Sequence, residues 1–141
     1  MYSVREQIVR GFIDAVKGAV SPVPVVRQPA YALTDVREVV IVSVESDGVI
    51  RRANDRSERM LTIRVESLSA ASTDPFAVAD DRIVKLHNAV MTSAVLSSLT
   101  LKIEEKTVDY QSDYLETFLA SIPARYEITY RTVISDLTMQ G

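Results

Sequence analysis

The sequence predicts an α+β fold, a mostly antiparallel sheet of about four to five strands with two main helices packed on one face. Three observations predict it. Two segments carry apolar residues at helical spacing, and each begins at a residue suited to capping a helix, Ser3 and Asp74. Other segments alternate apolar with polar at period two, most clearly residues 125–133. These segments follow the order helix, strand, strand, helix, strand, strand in 141 residues, the length of a single domain spanning 1–141.

Ser3-Val4-Arg5-Glu6 reads as a capping box, with Ser3 at the N-cap and Glu6 at the third helical position. A helix over about 4–19 follows, with Ile8, Phe12, Ala15, Val16 and Ala19 as its apolar stripe. Gly11 and Gly18 weaken it, and Pro22 and Pro24 end it. Residues 21–34 read as a connector containing Pro22, Pro24 and Pro29. Segment 36–45 is a strand with Val40, Val42 and Val44 on one face and Val39 and Ile41 on the other, apolar on both sides as a central strand would be. Residues 46–56 are rich in turn formers and charge and read as a loop too long for a tight hairpin. The next strand, 57–68, sets Leu61, Ile63 and Val65 against Glu58, Thr62, Arg64 and Glu66.

Asp74-Pro75 opens the second helix, with Asp at the N-cap and Pro at the first position. Its stripe is Phe76, Ala79, Ile83, Leu86 and Val90, and it ends near Thr92 before a short link over 93–98. A strand over 99–109 points Leu99, Leu101 and Ile103 inward. Residues 111–113 read as a turn, and 114–122 as strand or irregular. Pro123 cannot donate a ladder hydrogen bond and marks an edge or a bulge. The closing strand, 125–133, turns Tyr126, Ile128 and Tyr130 to the core and leaves Arg125, Glu127, Thr129 and Arg131 to solvent or a neighbour.

Composition narrows the function classes. The chain is 47% hydrophobic and 25% charged with a formal net charge of -3, which gives no general polyanion signal. Without cysteine there is no disulfide framework and no thiolate metal site. The longest apolar run, Val39-Val40-Ile41-Val42, is far short of a membrane span, and the acidic start lacks the pattern of a signal peptide. The four glycines, at 11, 18, 48 and 141, form no phosphate-binding loop. Asp80-Asp81 and Glu104-Glu105 are neighbours that point apart, so neither pair converges for acid–base work. The one histidine, His87, flanks the buried stripe of its helix and reads as a partly buried structural residue rather than a metal ligand. Tyr126 and Tyr130 read as core or interface packing rather than a base-stacking platform. No catalytic residue, cofactor or metal is expected.

From Glu58 onward the element order resembles the lambda-type phage tail-terminator family, the minor tail protein U group. The residues carrying the resemblance are Met60-Leu61-Thr62-Ile63-Arg64-Val65-Glu66 running into a small-residue turn, Asp74-Pro75-Phe76 opening the central helix, Val108-Asp109-Tyr110, and Tyr126-Glu127-Ile128-Thr129-Tyr130, which begins 16 residues beyond Tyr110. The resemblance covers most of the chain as a pattern of elements; segments 21–34 and 46–56 take no part in it. It implies a non-enzymatic structural protein of the virion tail, assembled in the host cytoplasm. Copies would form a ring, a hexamer, that caps the head-proximal end of the tail tube, stops polymerisation and offers a surface for head joining. The implied partners are the chain itself, the tail tube protein and a head–tail connector or neck protein. Another tail-tube, neck or tail-completion subunit, or a small non-phage α+β binding domain, is the alternative.

Two charged segments stand out. One is basic, Arg51, Arg52, Arg56 and Arg59; the other is acidic, Glu104, Glu105, Asp109, Asp113 and Glu116, relieved by Lys106. A closed ring joins one patch of each subunit to a different patch of the next. Contact between segment 51–59 and segment 104–116 of an adjacent subunit is therefore expected, with charge setting register. The competing use of the arginines is non-specific contact with DNA in the ring lumen.

Overall fold

The computed structural model describes residues 1–28, 37–106 and 120–141. Among these residues three helices, α1 (Val4–Val20), α2 (Pro75–Met91) and α3 (Ala94–Leu99), accompany six strands, β1 (Val25–Arg27), β2 (Glu38–Ala53), β3 (Arg56–Ser69), β4 (Lys102–Lys106), β5 (Ala120–Val133) and β6 (Asp136–Gln140). The strands form one sheet in the order β1-β2-β3-β5-β4, with β6 also on β5, and every pairing is antiparallel except β1 with β2. The α+β fold expected from periodicity is the one observed.

Helix α1 starts as its capping residues dictate: the Ser3 hydroxyl accepts from the Glu6 N–H at 3.1 Å. The Glu6 carboxylate does not close the box; it accepts from Arg10 and Arg27 instead. At α2 the Asp74 carboxylate accepts from the Ala77 N–H, and Pro75 takes the first helical position.

The helices share one face of the sheet. Val4, Ile8, Phe12 and Val16 of α1 and Leu86 and Val90 of α2 bury against Val42, Leu61, Ile63, Val65, Tyr126, Ile128 and Tyr130. Phe12 meets the Tyr126 ring edge-on at 5.5 Å between centroids. Each such side chain removed from water contributes about 1.5–3 kcal/mol. Gly11 lets α3 come close, since a Cβ there would stand 3.3 Å from Val95 and Leu96 side-chain carbons.

The structure corrects the sequence reading at several elements. Residues 46–56 are not a long loop: β2 and β3 continue to Ala53 and Arg56 and meet at a two-residue turn, Asn54-Asp55, both at positive φ (51° and 62°). Such a turn matches the twist of paired strands, and Asn and Asp are the side chains that tolerate it. Register shifts between Val44 and Ser46 and between Val49 and Arg51 had blurred the alternation. The connector after α1 contains strand β1, and the link over 93–98 is mostly α3, capped by Ser93. Strand 125–133 does not close the sheet, because β6 folds back on it through Ile134-Ser135. Phe76, expected in the α2 stripe, is 57% exposed, and Leu101, expected inward, is 50% exposed. Phe76 sits in the first turn of α2, and Leu101 precedes the β4 ladder, so neither reaches the core.

Strand β2 is flanked by β1 and β3 at Val40–Val42, where both Val39 and Val40 are fully buried. From Ser43 onward its only neighbour among the described residues is β3. Pro123 lies outside the β4 ladder, which spans Arg125 to Thr129 on β5. The expected turn at 111–113, the Val108-Asp109-Tyr110 stretch and the start of segment 114–122 lie outside the described residues.

Candidate functional site

The expected basic cluster divides in two at the β2–β3 hairpin. Register places Arg51, Glu58 and Arg131 in one row across β2, β3 and β5, on the face away from the helices. Glu58 accepts from Arg51 at 3.4 Å and lies 3.5 Å from Arg131. Arg56 follows one row nearer the turn on the same face, while Arg52 pairs with Ser57 and points to the other face. Arg51, Arg56, Glu58 and Arg131 border an open concavity of about 240 Å3. Arg131 was missing from the expected cluster. It is remote from Arg51 in sequence, and only strand register brings them together.

Arg59 belongs to a different constellation. It turns to the helix side and is 15% exposed, donating from Nη2 to Asp47 Oδ2 at 3.1 Å and from Nε to the Tyr130 hydroxyl at 3.2 Å. The Tyr130 hydroxyl donates to Asp47 Oδ1 at 2.8 Å, and Arg5 of α1 donates to Asp47 Oδ2 at 3.0 Å. Asp47, 6% exposed, is thus held by three donors from α1, β3 and β5. Burial, reinforced by Asp47, pushes the Tyr130 hydroxyl well above the ordinary phenol range. Burial opposes charge on Arg59, but its bonds to Asp47 and Tyr130 outweigh that and raise its pKa.

The acidic strand also divides. Glu104 lies on the outer face between Lys102 at 2.7 Å and Lys106 at 3.5 Å, and its pKa is lowered chiefly by Lys102. Glu105 points to the helix side, 3.7 Å from His87. Asp109, Asp113 and Glu116 lie outside the described residues. Of residues thought available to a neighbour, Thr129 is 9% exposed and belongs to the interior of the sheet, while Glu127 stands 3.7 Å from Lys106. Tyr126 and Tyr130 are core side chains, as expected.

His87 bridges helix and sheet: its Nδ1 lies 2.8 Å from the Tyr126 hydroxyl, and its ring stacks on the Tyr126 ring at 5.8 Å. This is the partly buried structural role expected of it. Among the described residues no three His, Asp or Glu side chains converge as metal ligands. A larger concavity of about 480 Å3 lies between the end of α1 and the start of α2. Of its charged groups, Arg82 pairs with Glu38 at 2.6 Å and Lys85 with Asp81 at 2.9 Å, while Asp74 accepts from the Ala77 N–H as the cap of α2.

The chain matches no protein-family model and no curated protein. Among the described residues no helix is long and apolar enough to cross a membrane.

Proposed function

We propose that the protein is a non-enzymatic structural subunit of the tail-terminator kind, which forms a ring of six copies on the head-proximal end of a phage tail tube. The observation that supports this reading is the pair of unlike open edges on the sheet. Among the described residues, β2 beyond Val42 has only β3 beside it, and β4 has only β5. An open edge is a template for another strand, and two different edges on one chain suit a head-to-tail contact, which closes into a ring when the rotation permits. Ile50, on the β2 edge, is 51% exposed and supplies an apolar anchor for such a contact.

In this reading one ring face imitates the tube subunit's docking surface. The other withholds it and meets a head–tail connector, so polymerisation stops. Light scattering with negative-stain imaging tests the proposal. A closed ring with a central hole is expected, and Ile50→Lys should shift the population to monomer without lowering the melting temperature. Open-ended tubes would reassign the chain to the tube itself. A strict monomer at every concentration, with tube subunits present, overturns the reading.

A further inference from the structure

We propose that the tip of the β2–β3 hairpin is a docking site for the phosphodiester backbone of nucleic acid. The argument rests on charge that the chain leaves uncompensated. Four guanidinium groups lie at the tip, Arg51, Arg56 and Arg131 on the outer face and Arg52 on the other, against the three side-chain carboxylates of Asp55, Glu58 and Asp136, the last sharing the row of Arg56 through Val133. Glu58 is shared by Arg51 and Arg131 at distances beyond good hydrogen-bond length. Arg52 and Arg56 have no acidic side chain within 4.0 Å among the described residues. The tip is therefore positive on a chain whose formal net charge is -3.

That contrast gives orientation as well as attraction. The net charge of the chain gives a polyanion no general attraction, so the excess of arginine at the tip is what draws it and leads the encounter. Guanidinium forks match phosphate oxygens bidentately, and the concavity of about 240 Å3 between Arg51, Arg56 and Arg131 leaves room for a phosphate group. Glu58 at the floor of this row opposes the anion and keeps the affinity modest. Contacts from these guanidinium groups to phosphate oxygens carry no sequence information, so the proposed binding is to the backbone and independent of sequence.

The site stands whether or not the chain forms a ring, and its test reads binding rather than assembly. Fluorescence anisotropy of the full chain with a labelled duplex of about 20 bp is followed from about 20 to about 200 mM salt. The logarithm of the binding constant should fall with the logarithm of salt at a slope of about -3 to -4, one increment of about 0.9 per neutralised phosphate. Arg51→Ala with Arg56→Ala should weaken binding at least about tenfold and flatten the slope by about 1.8. Lys17→Ala, an exposed cation in the last turn of α1, should leave both unchanged. Glu58→Gln should tighten binding, a gain that a purely structural role for this row does not produce. No binding at the lowest salt, or an unchanged double variant, overturns the proposal. So does poly-glutamate competing as well as DNA, which would assign the tip to an acidic protein surface.

Discussion

Asp47 shows how much one buried carboxylate can organise. It lies beside the register shift of β2, and the shift turns it to the helix side among the donors of Arg5, Arg59 and Tyr130. A buried charge without partners is costly, whereas one satisfied by several donors fixes a local arrangement. Asp47→Ala should destabilise the chain by about 3 kcal/mol, because Arg59 is left charged and largely buried. Tyr130→Phe removes one hydroxyl while Asp47 keeps both arginines, and should cost only about 1 kcal/mol. Urea denaturation of both variants checks the ranking; a Tyr130→Phe loss equal to that of Asp47→Ala would contradict it. None of this was legible beforehand. Gly48 and the turn-rich composition around Asp47 suggested a loop, and nothing local indicates that Tyr130, 83 positions away, supplies its partner.

At the scale of elements, the β2–β3 hairpin carries both the buried network and the exposed arginines. Its turn was hidden because Asn-Asp is a weaker signal than Asn-Gly for a two-residue turn with both residues at positive φ. Asp55 adopts φ 62°, a conformation that glycine takes without a Cβ penalty. Asp55→Gly should therefore stabilise the hairpin by up to about 1 kcal/mol, read as a higher urea midpoint. A lower midpoint would mean that the Asp55 side chain contributes more than its backbone strain removes. The helices were easier to read. Ser3 and Asp74 cap through their own neighbours, and local chemistry of that kind survives any tertiary arrangement.

Across the whole molecule, carboxylates tie distant elements together. Glu38 of β2 accepts from Arg82 of α2, from the Ala70 N–H and from the Ser69 hydroxyl. Burial works to raise its pKa, but these donors outweigh it and hold the carboxyl below its ordinary value of 4.5. Glu6 is likewise lowered, chiefly by its hydrogen bond to Arg27. A carboxylate with a depressed folded-state pKa contributes stability above its unfolded pKa and loses it as pH falls through the folded value. The unfolding free energy should drop as pH falls from about 5 toward 3. Glu38→Gln should be less stable than wild type at neutral pH, with the gap narrowing through that window. Denaturant titrations at several pH values check it; a gap that stays constant to pH 3 would remove Glu38 from the linkage.

Period, caps and composition by themselves determined the α+β class, the inward faces of β3 and β5, and the starts of α1 and α2. Each follows from side-chain type at fixed spacing along a continuous backbone. Tertiary structure alone decided where the charges act. Register set Arg131 beside Glu58, a bulge turned Asp47 inward, and the pleat sent Arg59 to the opposite face from Arg51. A one-residue change of register reverses the face of every side chain that follows. The arginines close together in sequence therefore separate into a buried lock and an exposed tip, and that division exists only once the strands are paired.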